Sequence, residues 1–325
     1  MMKGIETSYL KVLLLVSVAL TVIASGCITP QGGGSTGPGI SIENFEPSLT
    51  QVESNEPVTL HLEVRNKGEY NGPFGNGVPA VAELMGIDTT EWMITPSVYS
   101  DTMYLFAPDL ESQTEGGLGT WNWDLTSPML SRGQRLTYSP IARVYYNYET
   151  DVIKPVWFVT KDELETIVRS GGALSSEPTT YTSGPLTVDV KTGNFVASRE
   201  WMDSKFQVQI KISNTGSGNV FGKERPIGVY VEWPSFVSPI GGNCPKEIDW
   251  TAGYSDILPI GLTPSTTLGN FVRLWDTRET DITCEFMIVE PPSSRTKGNF
   301  HVKLSYIYYI DQSTQITVKG VEDFI

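Results

Sequence analysis

Two segments of the chain alternate apolar and polar residues with a period of two. The apolar positions are Val58, Leu60, Leu62 and Val64 in the first segment and Phe206, Val208, Ile210 and Ile212 in the second. A constant offset of 148 residues, from 58 to 206, relates the two sets. Such alternation is typical of a strand with one buried face and one wet face. The pattern therefore predicts two copies of one β unit, beginning near Gly39 and Gly184.

Each alternating segment ends in Asn-x-Gly, at residues 66–68 and 214–216. Glycine and asparagine tolerate left-handed backbone, so we interpret both tripeptides as left-handed turns that end the strands.

A second match lies near the end of each copy. The apolar positions here are Ala142, Val144, Tyr146 and Tyr148 in the first copy and Val302, Leu304, Tyr306 and Tyr308 in the second. Their offset is 160, from 142 to 302, so the second copy is 12 residues longer (160 less 148) between the shared strands. The extra length falls between Gly216 and Phe300. We also interpret Trp123 and Trp275 as equivalent core residues.

Further short apolar segments, at 78–84 and 229–233, add strands to each copy. About seven short strands in about 110–140 residues, with Gly and Pro turns, are typical of an immunoglobulin-like β-sandwich. Between the copies, Thr160 and Glu163 form a capping box that predicts a short helix ending at Gly171. The predicted fold is all-β, with two tandem immunoglobulin-like β-sandwiches joined by a linker with a short helix, and a signal or anchor helix before them.

The domain organisation follows from these boundaries. We expect a lipoprotein-type signal peptide at 1–26, a flexible linker at 27–38 and the first β-sandwich at 39–159. A linker with the short helix follows at 160–183, and the second β-sandwich occupies 184–325.

The first 28 residues resemble a lipoprotein signal. Lys3 and Lys11 precede an apolar run at 12–23, and three small residues then lead to Cys27. We expect Cys27 to be acylated and to tether the protein to the outer face of the cytoplasmic membrane, at the cell surface. An uncleaved anchor is a second interpretation, although residues 12–28 fall short of the roughly 20 apolar residues of a spanning helix. Plain secretion is the third.

With Cys27 set aside, Cys244 and Cys284 form an even pair in a compartment where disulfides persist. We predict a bond between them that pins the enlarged loop of the second copy. The alternative is two independent buried thiols. Two cysteines and two distant histidines lack the paired spacing of a zinc site, so no metal is expected.

Composition narrows the class of protein. The chain is 39% hydrophobic and only 18% charged, which indicates a folded core rather than a disordered chain. Its net charge of −14 opposes attraction to nucleic acid or anionic lipid, so no nucleic-acid partner is expected. No cofactor is predicted.

Two stretches resemble immunoglobulin-like repeats of archaeal and bacterial cell-surface proteins: VTLHLEVRNKGE (58–69) and FQVQIKISNTGSG (206–218). Each is followed by a tyrosine-rich late strand. The cell-adhesion-related type (CARDB) is the nearest. This resemblance implies an extracellular binding, adhesive or scaffolding role. It transfers no catalytic residue.

Two functional hypotheses follow. The first is a membrane-tethered binding, adhesion or scaffolding lipoprotein without catalytic activity, with other envelope proteins or glycans as partners. The second is a carbohydrate-binding or carbohydrate-processing surface protein. It would use outward aromatic rings, for which the candidates are Trp121, Tyr145 and Tyr309. Processing would also require two paired carboxylates.

The sequence offers many acids for such chemistry but no way to pair them. The acids singled out are Asp109, Glu111, Asp124, Asp249 and Asp256. The two histidines, His61 and His301, lie on the polar faces of predicted strands, and we expect them to be surface residues rather than catalytic or metal-binding ones.

Overall fold

The computed structural model describes residues 39–193, 195–198, 204–222, 227–241, 244, 270–290 and 293–321. All of them belong to one compact unit. Strands dominate this part of the chain, which confirms the all-β class. Among the described residues, no helix is long and apolar enough to cross a membrane.

The first copy contributes nine strands: β1 (Ile40–Pro47), β2 (Gln51–Glu53), β3 (Pro57–Asn66), β4 (Val78–Met85), β5 (Met93–Thr95), β6 (Met103–Leu105), β7 (Leu118–Thr126), β8 (Arg135–Tyr138) and β9 (Ile141–Thr160) within its described range. Helix α1 (Lys161–Arg169) follows. The described part of the second copy contains β10 (Thr180–Tyr181), β11 (Leu186–Lys191), β12 (Phe195–Ser198), β13 (Lys205–Asn214), β14 (Asn219–Val220), β15 (Ile227–Glu232), β16 (Val237–Pro239), β17 (Asn270–Val272), β18 (Glu279–Ile288), β19 (Arg295–Ser313) and β20 (Ile316–Lys319).

Helix α1 begins where the capping box predicts. Thr160 is its N-cap, and the hydroxyl oxygen accepts a hydrogen bond from the backbone N–H of Glu163 at 3.3 Å. The acidic residues of the first turn favour the positive end of the helix dipole. None of its residues is buried, so α1 lies on the surface.

The predicted repeat appears as two equivalent four-stranded sheets. Their strand orders are β1-β3-β7-β5 and β11-β13-β18-β16, and both correspond to the A-B-E-D order of an immunoglobulin-like sheet. The alternating segments are β3 and β13, which begin at 57 and 205, 148 residues apart. Their inward residues, such as Leu60 and Val208, are fully buried.

The expected equivalence of Trp123 and Trp275 is wrong. Leu60 pairs with Trp123 across β3 and β7, whereas its counterpart Val208 pairs with Cys284 across β13 and β18. Cys284 therefore occupies the core position that Trp123 occupies in the first copy. Trp275 lies in the turn before β18 and is 68% exposed.

The extra length of the second copy can be placed from the same pairings. The offset is 145 at the D strands, where Ile94 corresponds to Pro239, and 161 at the E strands, where Trp123 corresponds to Cys284. The additional residues therefore lie between β16 and β18, which contains the predicted disulfide loop.

One nine-stranded sheet covers both A-B-E-D sheets. Its main order is β17-β15-β19-β9-β4-β6, so strands of both copies belong to it. At its centre β9 and β19 pair antiparallel without interruption, from Ile141 opposite Ser313 to Val159 opposite Arg295. The buried residues of both copies accordingly form one continuous core.

Each copy is completed by a strand from the other. In an immunoglobulin-like sandwich, strand G lies beside F. Here the place beside the first half of β9 is taken by β19, and the place beside the equivalent part of β19 is taken by β9. In addition, β20 of the second copy pairs parallel with β2 of the first, and β9 of the first pairs parallel with β12 of the second.

A pseudo-two-fold axis passes between Asn147 and Ile307, which lie opposite each other and differ by the 160-residue offset. Four fully buried tyrosines surround this point: Tyr146, Tyr148, Tyr306 and Tyr308. Their ring centroids lie 5.7–6.4 Å apart around the group, within the range of favourable aromatic pairs. We call these side chains the tyrosine cluster.

The tyrosine cluster also fixes the Asn-x-Gly segments. The Tyr308 hydroxyl donates to Asn214 Oδ1 at 2.8 Å and accepts from the N–H of Gly218 at 3.0 Å. In the first copy the Tyr148 hydroxyl accepts from the N–H of Tyr70 at 3.3 Å. Burial raises the pKa of Tyr308 to about 12, so its hydroxyl keeps its proton.

The glycines of the two Asn-x-Gly tripeptides are needed because there is no room for a side chain, and not because of their backbone angles. Neither Gly68 nor Gly216 has a positive φ, so the expected left-handed turn is wrong. A Cβ at Gly68 would overlap the Tyr148 hydroxyl, and one at Gly216 would lie 2.6 Å from the Tyr308 hydroxyl. Any larger residue would push a tyrosine out of the cluster.

Because the copies share a sheet, we predict that cutting the connection between them does not separate them. A protease site inserted at Gly171, where an added Cβ would meet no atom within 4 Å, should be cleaved in the folded protein. The two pieces should then co-elute from a size-exclusion column without denaturant and separate in urea. Pieces that separate without denaturant would show that residues 39–159 and 184–325 are independent domains.

Gly68→Ala should lower the free energy of unfolding by about 1–3 kcal/mol, because the added methyl overpacks the tyrosine cluster. Tyr148→Phe in the same chain should recover part of this loss, since the two sites are in contact. Urea denaturation of the single and double variants measures the coupling. Gly172→Ala in the linker is the matched control: its added Cβ would lie 3.2 Å from Ile167 on the surface helix, which can move, so the loss should be smaller. Equal losses for Gly68→Ala and Gly172→Ala would contradict the packing argument.

Candidate functional site

The three aromatic residues predicted for binding do not form one exposed patch. Trp121 is buried, and its indole N–H donates to the carbonyl of Asp101 at 3.1 Å. It points into the core with Trp123, because residues two apart in a strand share a face. The prediction of Trp121 as an exposed ring is therefore wrong.

Tyr145 and Tyr309 do meet, on the outer face of the nine-stranded sheet. They lie directly opposite in the β9–β19 register, with ring centroids 5.9 Å apart. Phe221 packs edge-on against Tyr145 at 5.5 Å, and Val81 and Ile307 complete a small apolar group. Tyr145 is buried in this outer-face cluster and Tyr309 is partly exposed, so of these two predicted rings only Tyr309 offers a surface to solvent.

Arg143 covers the outer-face cluster. Its guanidinium lies 4.3 Å from the Tyr309 ring centroid and 5.9 Å from that of Tyr145. Two of its N–H groups donate to the carboxylate of Asp311, each at 2.7 Å. The Asp311 hydrogen bonds raise the pKa of Arg143 above its ordinary value. The arginine is thus held in place by its stacking and its bidentate pair.

Tyr145 cannot act as a base at neutral pH. Burial, followed by the hydrogen bond from its hydroxyl to Glu83 at 2.8 Å, raises its pKa to about 12. The outer-face cluster therefore offers the partly exposed ring of Tyr309 and the guanidinium of Arg143, which is already paired with Asp311. Chemically this arrangement can stack against a flat group, and it carries no activated nucleophile.

His61 lies on the outer face of the first A-B-E-D sheet, as its alternation predicts. Nδ1 lies 2.7 Å from the Asn122 side-chain oxygen, and Nε2 lies 3.2 Å from a Glu63 carboxylate oxygen. The Asn122 hydrogen bond, followed by the one with Glu63, raises the pKa of His61. Neither neighbour is a serine or cysteine, so this arrangement does not make a catalytic triad.

His301 lies on the outer face of the shared sheet. Its Nε2 is 3.4 Å from the Asp151 carboxylate, and its Nδ1 is 3.7 Å from that of Glu232. These are the distances of a surface ion pair. Within the described ranges, no group of three or more His, Cys, Asp or Glu side chains is arranged to hold a metal ion.

The described acidic candidates serve local structure. The Asp109 carboxylate accepts hydrogen bonds from the backbone N–H of Glu111 at 2.9 Å and from the Ser112 hydroxyl at 2.6 Å. These bonds, the Ser112 side chain first, hold the pKa of Asp109 below its ordinary value. Asp124 accepts from the Thr59 hydroxyl at 2.7 Å. Asp249 and Asp256 lie outside the described residues.

Cys244 and Cys284 are bonded to each other, which confirms the predicted disulfide. Their Cα atoms are 4.9 Å apart and the bond closes 40 positions of chain. Both cysteines are buried, with Cys284 in the core position described above. Cys27, the predicted lipidation site, lies outside the described residues.

A second surface was not predicted from the sequence. Its members are Phe74 (96% exposed), Tyr104 (57%), Phe106 (54%) and Leu110 (78%). We call them the loop-end surface, because they come from the loops and strand ends at one end of the first copy. Most of them lie in Gly- and Pro-rich loops without alternation, so periodicity gave no signal. The sequence feature that could have indicated this surface is a pair of aromatic residues outside any predicted strand, Phe74 and Phe106.

Comparisons with known proteins assign no family. No protein-family model matches the chain, and no curated protein matches it.

Some solved structures share a weak likeness. An activated α2-macroglobulin of Escherichia coli is 9% identical with a TM-score of 0.18, and the match covers 88% of this chain and 22% of that one. The collagen-binding domain of the Erysipelothrix rhusiopathiae surface protein RspB is 8% identical with a TM-score of 0.14, covering 89% and 99%. The collagen adhesin of S. aureus is 9% identical with a TM-score of 0.13, covering 89% and 94%. Such low scores carry no argument, and the fold rests on the strands described above.

Removing the disulfide should destabilise the protein strongly. For a loop of 40 positions the chain-entropy model gives about 3–4 kcal/mol. Cys244→Ser is the milder variant, because Cys284 is fully buried. We expect a fall of this size in the free energy of unfolding, measured in urea, and the same fall when the wild-type protein is reduced. An unchanged urea midpoint after reduction would contradict a stabilising role for the bond.

Proposed function

We propose that this protein is a membrane-tethered extracellular lipoprotein that binds or scaffolds other envelope components and catalyses no reaction. Its N-terminal tether is a lipid on Cys27, and its body is the pair of fused sandwiches. The immunoglobulin-like strand order, the disulfide and the sequence around Cys27 support the proposal together.

The disulfide is the observation that carries the location. Such bonds persist in oxidising compartments and are rare in the cytosol. The Cys244–Cys284 bond lies in the core of the second copy, where a free thiol would have packed equally well as a small apolar residue. A core disulfide therefore favours a compartment outside the cytoplasm, which agrees with the signal-like sequence that ends at Cys27.

The proposal that the protein catalyses no reaction is supported by the candidate catalytic groups, which are already engaged in hydrogen bonds or kept protonated by burial. His61 and Asp109 are hydrogen-bonded to neighbours that fix local structure. Arg143 is saturated by Asp311, and Tyr145 is held protonated by burial. A rigid body with such a surface suits recognition better than chemistry.

The carbohydrate hypothesis keeps only part of its basis. It depended on three outward rings, of which Trp121 is in the core and Tyr145 is covered by Phe221. A single partly exposed Tyr309 offers less stacking area than a sugar-binding platform requires. We therefore place binding of envelope proteins ahead of binding of glycans.

Intact mass of the protein purified from its native membranes tests the proposal. We expect the mass of residues 27–325 plus a lipid, with two further thiols that react with alkylating reagent only after reduction. Cys27→Ser is the matched control and should retain residues 1–26 without a lipid. An unprocessed chain with three reactive thiols would overturn the proposal.

A further inference from the structure

The loop-end surface exposes its rings in a fixed arrangement. Phe74 lies at the tip of a turn that is closed at its base by a hydrogen bond from the Gly77 N–H to the Asn71 carbonyl at 2.8 Å. Phe74 itself has φ 59°, and the glycines on either side, Gly72 and Gly75, also have positive φ. Left-handed backbone is unfavourable for a non-glycine residue, because Cβ comes too close to the carbonyl oxygen. The turn thus holds an almost fully exposed phenylalanine in a conformation that is costly for it.

This turn is hydrogen-bonded to the segment that carries the other two rings, those of Tyr104 and Phe106. The Asn71 side-chain oxygen accepts from the N–H of Ala107 at 2.9 Å. Strand β6, which includes Tyr104, is the edge of the nine-stranded sheet, and Phe106 follows it directly. The Phe106 carbonyl accepts from the N–H of Gly117 at 2.8 Å, which fixes the backbone at Phe106.

This surface is at the end of the first copy where the chain from Cys27 enters. Gly39, the first described residue, accepts a hydrogen bond from the N–H of Lys67 at 2.7 Å. The adjacent Asn66 donates through its N–H to Gly117 at 3.1 Å and through its side chain to Leu105 at 3.1 Å. The start of the described chain at Gly39 and the backbone of β6 at Leu105 are therefore hydrogen-bonded to two neighbouring residues, Lys67 and Asn66.

The tether keeps this end close to the membrane. From Cys27 to Gly39 there are twelve residue steps, which reach at most about 40 Å when fully extended. A single acyl chain binds a membrane only marginally, so a stable attachment takes a two-chain lipid or a second contact. Aromatic and leucine side chains at the membrane–water interface supply such a contact.

The charges around the loop-end surface determine which kind of lipid it can contact. Asp109 and Glu111 flank Leu110, and Glu115 is 80% exposed although it pairs with Arg65 at 2.8 Å. These carboxylates, with the net charge of −14, repel an anionic headgroup layer. A neutral or zwitterionic lipid surface is the partner that fits both the rings and the acids.

We propose that the loop-end surface inserts its exposed rings into the headgroup region of a zwitterionic membrane and so orients the tethered body. The inference rests on the proposed function, because the tether brings this end to the lipid.

Quenching of an added tryptophan by brominated lipid tests the contact. Phe74→Trp and Met129→Trp are matched, since both residues are highly exposed (96% and 79%). Met129 follows β7, at the opposite end of the first copy from Leu118 and Gly39. Each variant is purified from its native membranes and reconstituted into phosphatidylcholine vesicles with brominated acyl chains.

We expect the added emission of Phe74→Trp to be lost in the brominated vesicles and that of Met129→Trp to be kept. Tyr104→Trp is a second reporter on the same surface and should also be quenched. Equal emission from the variants at 74, 104 and 129 would overturn the proposal. Intact mass of the same samples reports the lipid on Cys27 separately, so failure of the tether and failure of the contact are distinguished.

Discussion

The antiparallel pairing of β9 with β19 is the interaction on which the rest of the structure depends. It runs from Ile141 to Val159 and joins two halves of the chain that are distant in sequence. The tyrosine cluster lies at its midpoint and is shared equally by both copies. Neither copy contains the tyrosines opposite its own, so neither can bury this part of its core alone.

Edge strands explain why the exchange is stabilising. An unpaired strand edge exposes backbone donors and acceptors that must bond to water or to another chain. Here β9 protects the edge of β19 and the reverse, while β20 fills the space between β2 and β8 of the other copy. The price is topological: these pairings are non-local, and they form only when both copies have been made.

Local features of this fold were readable from the sequence, and non-local ones were not. The alternation in β3 and β13, their 148-residue offset and the capping box of α1 are encoded within short windows, and the structure has all three. The disulfide followed from counting cysteines. The pairing of the two late strands left no local signal, although Tyr146 and Tyr306 already shared the 160-residue offset. The aromatic candidates failed for a related reason, because alternation shows that Trp121 and Trp123 share a face without showing which face is buried.

Pseudo-symmetry separates the structural part of this protein from the part that can vary. Around Asn147 and Ile307 the two copies obey the same packing rules, and the glycines at 68 and 216 are required at both sites for the same reason. Strand β20 obeys the same symmetry, since its pairing with β2 corresponds to that of the end of β9 with β12, 160 residues away. The departure from symmetry is the additional length between β16 and β18 in the second copy, a segment that includes Cys244. The repeat therefore explains the core, and the added segment is tied to that core by the bond from Cys244 to Cys284.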